Sequence, residues 1–295
     1  MLDNEIILAY HLHIIPQWNM DKRLRTFPGT RMKTIFFLTA FLCMPIDAYS
    51  QYLQITLQPS GPIVPDRPGQ TNPPDVVGSG IVQLETGFLR ETINEGGIHT
   101  YNDLYNTSLV RIGLMTNCEL RMVIEYAGRV TDSGSQSSAL RGFNPVSVGT
   151  KIMVCPEKGI IPQTSMNIAF TLPYIGRREF RSSFLAPSFF LLMQNTLSGK
   201  LALGYNLGLQ WDGEQPNAMA VYSISPSLTV TDGLSVFVEF YGFSTEKYVP
   251  DFRADMGCAY LVSDNVQIDA SAGVGLNTIA PDSFIAFGLA WRFNN

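Results

Sequence analysis

From Ile81 to Phe293 large apolar side chains alternate with small or polar ones, and this period of two constrains the fold more than any other feature of the chain. In 265–276, Val266, Ile268, Ala270, Ala272, Val274 and Leu276 share one side. Gln267, Asp269, Ser271, Gly273 and Gly275 share the other. In 282–293, Ile285, Phe287, Leu289, Trp291 and Phe293 oppose Ala286, Gly288, Ala290 and Arg292. In 199–211, Leu201, Leu203, Tyr205, Leu207, Leu209 and Trp211 oppose Lys200, Ala202, Gly204, Asn206, Gly208 and Gln210. The large side cannot face water. The small side is too rich in glycine and alanine to be a soluble protein's exterior. Large-apolar-out with small-or-polar-in is the arrangement of a membrane β-barrel.

Composition agrees. Only 15% of the chain is charged, and beyond residue 50 no apolar run approaches the roughly 20 residues of a spanning helix. Membrane embedding without such a run requires a closed barrel, in which every backbone group pairs between strands. Twelve alternating segments are legible: 81–91, 103–116, 118–131, 145–155, 163–173, 184–196, 199–211, 218–230, 234–244, 251–262, 265–276 and 282–293. Short links near Thr116-Asn117, at 156–162, 197–199, 231–233 and 263–264 alternate with longer polar ones at 92–102, 132–144, 174–183, 212–217, 245–250 and 277–281. The expected fold is all-β: a twelve-stranded antiparallel up-and-down transmembrane barrel over 81–293, with short turns on the periplasmic side and longer loops outside. A soluble β-sandwich lacks this alternation of link lengths.

The charges provide a separate test. Glu85, Arg111, Arg121, Glu125, Arg129, Lys151, Glu239, Arg253, Asp255, Asp269 and Arg292 all take inward parity, which makes them the candidate lumen-lining residues. A charge facing lipid at the midplane costs about 2–4 kcal/mol, so the outward face is expected to be kept free of charge. Tyr260, Trp291 and Phe293 near one end, and Tyr222 and Trp211 near the other, read as two aromatic girdles. Pro187 and Pro226 fall inside strands, where each deletes a ladder bond, so bulges are expected there.

Upstream of the strands, residues 32–50 read as a secretory signal: Lys33, an apolar stretch from Ile35 to Met44, then Ala48-Tyr49-Ser50 with small-x-small spacing. Residues 1–31 then form an upstream extension from a misassigned start codon. Residues 51–80 carry Pro59, Pro62, Pro65, Pro68, Pro73 and Pro74, which suit neither helix nor central strand. An extended periplasmic strap, or a plug reaching into the barrel mouth, is expected there. The three cysteines after the signal, Cys118, Cys155 and Cys258, are an odd count and no disulfide framework. With His99 they make no metal site, and no cofactor is expected. The net charge of -5 supplies no basic stripe for nucleic acid. A lipid-facing Ser–His hydrolase is disfavoured, because the one histidine of the mature chain, His99, is placed beside no outward serine.

Two stretches have a familiar look: Pro65-Asp66-Arg67-Pro68-Gly69-Gln70-Thr71-Asn72 followed by Gln83-Leu84-Glu85-Thr86-Gly87-Phe88. Later come Ser147-Val148-Gly149-Thr150-Lys151, Leu203-Gly204-Tyr205-Asn206, Glu239-Phe240-Tyr241-Gly242-Phe243 and Trp291-Arg292-Phe293. In this order, over roughly 64–293, the chain resembles the phenol meta-pathway degradation family of outer-membrane transporter-like barrels. Asn294 and Asn295 after the last aromatic depart from that pattern. The resemblance implies residence in the outer membrane of a Gram-negative-type bacterium and passage of small hydrophobic or aromatic solutes. Outer-membrane lipid and the barrel assembly machinery are the partners it implies. The competing expectation is a structural or adhesin-like barrel with a closed lumen, in which inward charges, six positive and five negative, form a salt-bridged filling. Twelve strands lie between side-chain-filled eight-stranded barrels and open 16–18-stranded porins, which favours a narrow or gated path. The signal reading predicts that the exported chain begins at Gln51. Intact-mass measurement of the membrane-extracted protein checks this, and a retained N-terminus or a lipid on Cys43 contradicts it.

Overall fold

The computed structural model describes residues 61–246 and 249–293, so the expected signal at 32–50, the extension at 1–31 and the first part of the proline-rich segment lie outside the described residues. Thirteen strands follow: β1 (Val82–Glu95), β2 (Ile98–Met115), β3 (Cys118–Asp132), β4 (Ser137–Phe143), β5 (Ser147–Cys155), β6 (Gln163–Thr171) and β7 (Ala186–Thr196), then β8 (Leu201–Gln210), β9 (Met219–Thr229), β10 (Leu234–Ser244), β11 (Asp251–Ser263), β12 (Val266–Gly275) and β13 (Ser283–Phe293). All pairings are antiparallel, and β1 pairs with β13 from Val82↔Phe293 to Thr92↔Ser283, closing the sheet. β4 and β5 are two pieces of one stave. β4 pairs with the upper half of β3 (Tyr126↔Phe143 to Asp132↔Ser137) and β5 with the lower half (Cys118↔Ile152 to Val123↔Ser147). The barrel is therefore a closed ring of twelve staves.

The fourth stave breaks at Asn144-Pro145-Val146, where proline has no N–H to donate. Asn144 bridges the break: its backbone N–H donates to the Glu125 carbonyl at 3.0 Å and its side-chain amide to the Glu125 carboxylate at 2.9 Å. Two expected outer links are corrected. The 92–102 stretch is strand, because Gly96 (φ 57) and Gly97 (φ 80) take the paired positive φ of a two-residue turn. The 132–144 stretch contains β4 rather than a loop. The expected bulges at Pro187 and Pro226 are absent. Pro187 pairs in register with Phe170 near the start of β7, and Pro226 pairs in register with Leu203. The β9–β10 ladder simply skips the pairs beside Pro226 and resumes in the same register. A bulge occurs instead at Tyr105, which is an extra residue relative to both β1 and β3.

The two faces separate as the alternation requires. Ile268, Val274, Leu276, Ile285, Phe287, Leu289 and Trp291 are exposed, while Gln267, Asp269, Ser271, Phe284, Ala286, Ala290 and Arg292 are buried. A belt of exposed aliphatic and aromatic side chains around a closed, fully paired sheet belongs in lipid, not water. This is a transmembrane β-barrel. Trp291 and Phe293 stack at 4.4 Å, and Phe189–Trp211 and Tyr222–Phe252 meet at 6.2 and 6.4 Å on the same outward surface. The expectation of a charge-free outward face fails at one place. Arg90, Asp103 and Arg141 share the parity of outward Phe88, Tyr101 and Phe143. Near the long-loop end such a charge costs only about 0–1 kcal/mol. At the lipid-facing belt the cost is larger, and Ile268→Arg is expected to destabilise the barrel by about 2–4 kcal/mol. Urea-unfolding titration in lipid vesicles measures this, and an unchanged midpoint rejects the face assignment.

Candidate functional site

The interior is not empty. Residues 61–80 run inside the barrel and are held by charged side chains that the alternation directs inward. Asp66 is the centre of the arrangement. Its carboxylate lies 3.2 Å from Arg111, 2.5 Å from Arg121 and 2.6 Å from Lys151. Arg111 also pairs with Glu85 at 3.0 Å and Glu119 at 2.8 Å, and Arg121 pairs with Glu119 at 2.8 Å. Three cations thus face three carboxylates. Arg111 and Arg121 are direct cross-strand partners, an arrangement of like charges that is unfavourable alone and is relieved here by Glu119 and Asp66 between them. Burial pushes the Asp66 carboxyl up, but Arg111, Arg121 and Lys151 outweigh burial and hold it well below the usual carboxylate range.

Backbone groups of the segment complete the contacts, as buried polar groups require. Arg111 donates to the carbonyls of Val64 (3.0 Å) and Asp75 (2.8 Å), and Lys151 to those of Pro73 (3.0 Å) and Asp75 (3.2 Å). Glu85 accepts from the Asp66 N–H at 2.9 Å and Glu119 from the Val77 N–H at 2.6 Å. The hydroxyl of Ser165 donates to the Pro74 carbonyl. Prolines here leave carbonyls without neighbouring donors of their own, and the wall supplies those donors. Farther round the wall, Glu239 accepts from the Gln70 N–H at 2.7 Å and from the N–H and hydroxyl of Thr71. Arg67 pairs with Asp269 at 3.2 Å and donates to the Phe287 carbonyl at 3.0 Å. Arg292 donates to the Gly61 carbonyl at 2.9 Å.

The inward glycines now have a reason. Gly87 and Gly288 are cross-strand partners. A Cβ on either would lie 2.6 Å or 2.1 Å from the Arg67 guanidinium group. A Cβ on Gly113 would lie 1.7 Å from the Gly78 carbonyl oxygen. These positions are hollows in the wall that admit the segment. Beside the segment, on the β8–β12 side, a cavity of about 220 Å³ remains, bordered by Thr71, Ser225, Ser227, Phe237 and Gln267.

Above the segment, towards the long-loop end, an apolar cluster lies beside a buried group of ion pairs. Met219, Tyr241, Phe243, Phe284 and Ala286 pack together, and Phe180, on the short 3-10 turn Arg178–Phe180, is buried against Leu104 and Ala127. Arg253 lies within this layer, 2.8 Å from Glu91 and 2.5 Å from Asp251, with its guanidinium 5.3 Å from the Phe243 ring.

Of the eleven residues singled out by parity, ten are buried and Arg129 is half-buried. Glu85, Arg111, Arg121 and Lys151 come together around Asp66. Glu239 and Asp255 are direct cross-strand partners. Asp269, Arg292 and Arg253 each belong to separate contacts, Glu125 serves the break at Asn144, and Arg129 donates to Asn102 at 3.2 Å. Glu119, Glu91 and Asp251 were not singled out, although Glu119 shares the inward parity of Arg121. Asp66 and Arg67 lie where no period exists, so nothing local marks them beyond charges set among prolines.

The family model described as "Putative MetA-pathway of phenol degradation" matches residues 65–293. The chain belongs to that family. The match begins at Pro65, within the interior segment rather than at β1, so the phenol-degradation family pattern takes in the segment as well as the strands. Among solved structures the fold is shared with an outer membrane channel from Pseudomonas putida F1. That channel is 9% identical, with 77% of this chain and 99% of that chain covered at a TM-score of 0.59. The translocator domain of the autotransporter NalP from Neisseria meningitidis is 14% identical, with 74% and 90% covered at a TM-score of 0.50. No curated protein sequence matches the chain.

Two outcomes follow for the segment. Gly288→Leu removes the hollow for Arg67 and is expected to make residues 61–80 protease-sensitive while the barrel stays folded. Because the Asp66 carboxyl is held low, its contribution is complete above the ordinary carboxylate range and fades only as pH falls through its depressed value. Asp66→Asn is therefore expected to make residues 61–80 more protease-sensitive than in the wild type at neutral pH, where the carboxylate is charged. Equal proteolysis of the two proteins at neutral pH contradicts the role given to Asp66.

Proposed function

We propose that this outer-membrane barrel is a gated channel for small, mostly apolar or aromatic solutes, with residues 61–80 acting as an internal plug on the periplasmic side. The observation that carries the reading is the position of the segment: it crosses the interior on ion pairs and hydrogen bonds and leaves a cavity of about 220 Å³ at its side. An open porin would need no such filling. The apolar cluster in the outer half of the interior supports the solute class: Met219, Tyr241, Phe243 and Phe284 lie together there, beside the Arg253–Glu91–Asp251 ion pairs, and offer a surface to apolar rings. Arg111, Arg121, Glu125 and Glu239 are the wall residues that govern passage in this reading, the first two and Glu239 through their hold on the plug. Near-balanced inward charge gives little ion selectivity.

A closed structural or recognition barrel is the second reading, favoured by the completeness of the Asp66 network. Flux separates the two. Liposomes carrying the intact protein are expected to pass a small aromatic solute slowly, and deletion of residues 64–76 to raise that flux several-fold. Background flux for both proteins, with the barrel folded by heat-modifiable gel mobility, rejects the channel.

A further inference from the structure

The outward charges noted above are not scattered. Arg90 on β1 is the cross-strand partner of Asp103 on β2, Asp103 of Gly128 on β3, and Gly128 of Arg141 on β4. The four residues form one row across adjacent staves of the outer surface. Arg90 grips Asp103 through two hydrogen bonds, at 2.6 and 2.9 Å. The Arg90 side chain nevertheless remains 45% exposed, whereas that of Asp103 is 1% exposed. Its guanidinium lies 5.9 Å from the Phe88 ring and 5.7 Å from the Tyr101 ring. Arg141 lies 5.3 Å from the Tyr105 ring and, among the described residues, has no carboxylate within ion-pair distance. The row therefore holds two guanidinium groups against one carboxylate.

A second row runs directly beneath the first, towards the middle of the barrel. It has one aromatic per stave: Phe88, Tyr105, Tyr126 and Phe143. Neighbouring centroids are 6.5, 6.1 and 5.2 Å apart. The bulge at Tyr105 and the missing side chain at Gly128 are what join the rows. A Cβ on Gly128 would lie 2.7 Å from the Tyr105 ring and 3.2 Å from the Arg141 side chain, so the ring fills the gap between Asp103 and Arg141. Guanidinium groups above a belt of aromatics, on an apolar outward wall and near the long-loop end, sit where headgroups give way to acyl chains. The anion available at that level is a lipid phosphate, and arginine is the side chain whose planar fork matches phosphate oxygens.

We propose that the Arg90–Arg141 row binds the phosphate of an outer-leaflet lipid, with its acyl chains lying along Phe88, Tyr126 and Phe143. This site is on the outside of the wall and is independent of the channel reading. The test uses the full-length chain in detergent micelles, loaded with lipid A and stripped by detergent exchange, with retained lipid counted by native mass spectrometry. The wild-type protein is expected to retain lipid A and to retain its dephosphorylated form about tenfold less. Arg141→Gln is expected to lower retention about tenfold. This variant breaks no ion pair and so leaves a folded barrel, which heat-modifiable gel mobility verifies. Lys200→Gln, in a turn at the opposite end, is expected to retain lipid A like the wild type. Equal retention of dephosphorylated lipid, or undiminished retention by Arg141→Gln, overturns the proposal. Displacement of the lipid by inorganic phosphate at matched concentration also overturns it, by assigning the row to a soluble anion. Burial of this face in a lipid-free dimer overturns it in favour of a second copy of the chain.

Discussion

The interior of this barrel depends on one buried carboxylate. Asp66 stands among Arg111, Arg121 and Lys151, and each of those cations is itself buried. Without Asp66 the wall would keep three cations against Glu85 and Glu119 alone. Leaving a buried charge uncompensated costs about 3–5 kcal/mol, whereas a complete network costs little net. The carboxylate comes from outside the sheet, so wall and segment neutralise one another, and neither side of the network is complete alone.

That dependence explains the graded make-up of the interior. The charged half needs polar partners at every level, and the proline-rich segment provides carbonyls and N–H groups at the heights where the wall presents Arg111, Lys151 and Glu239. A helix in the same place would have spent those backbone groups on itself. The other half of the interior packs Met219, Tyr241, Phe243 and Phe284 together and satisfies its buried Arg253 from within the wall, through Glu91 and Asp251. The segment is tied down by ion pairs and hydrogen bonds together with the buried side chains of Ile63 and Val77.

The broken fourth stave shows the same economy of polar groups at the wall itself. Pro145 interrupts pairing, and Asn144 restores two hydrogen bonds to Glu125 across the gap. Above the break, β4 prolongs the sheet and carries Arg141 into line with Arg90 and Asp103. An irregularity in one stave and a bulge in another, at Tyr105, thereby place charge on a surface that is otherwise apolar.

The sequence by itself determined the closed barrel, the ring of twelve staves and the alternation of its two faces, though not the outward turn of Asp103, which the bulge at Tyr105 sets. It could do so because side-chain direction in a strand repeats every two residues, and lipid on one side leaves no tolerance for the wrong parity. It also placed the short turns well, since tight hairpins fix the register around them. The outer hairpin at Gly96-Gly97 and the strand at 137–143 escaped notice because strands that rise beyond the lipid lose the apolar face that reveals them. Tertiary structure alone decided which inward charges meet. Asp66 lies 85 residues from Lys151 in the chain and Arg67 lies 202 from Asp269. The proline-rich segment has no period from which its depth in the barrel can be read, and its position is set by the glycine hollows and the surplus cation of a wall that exists only once the barrel has closed.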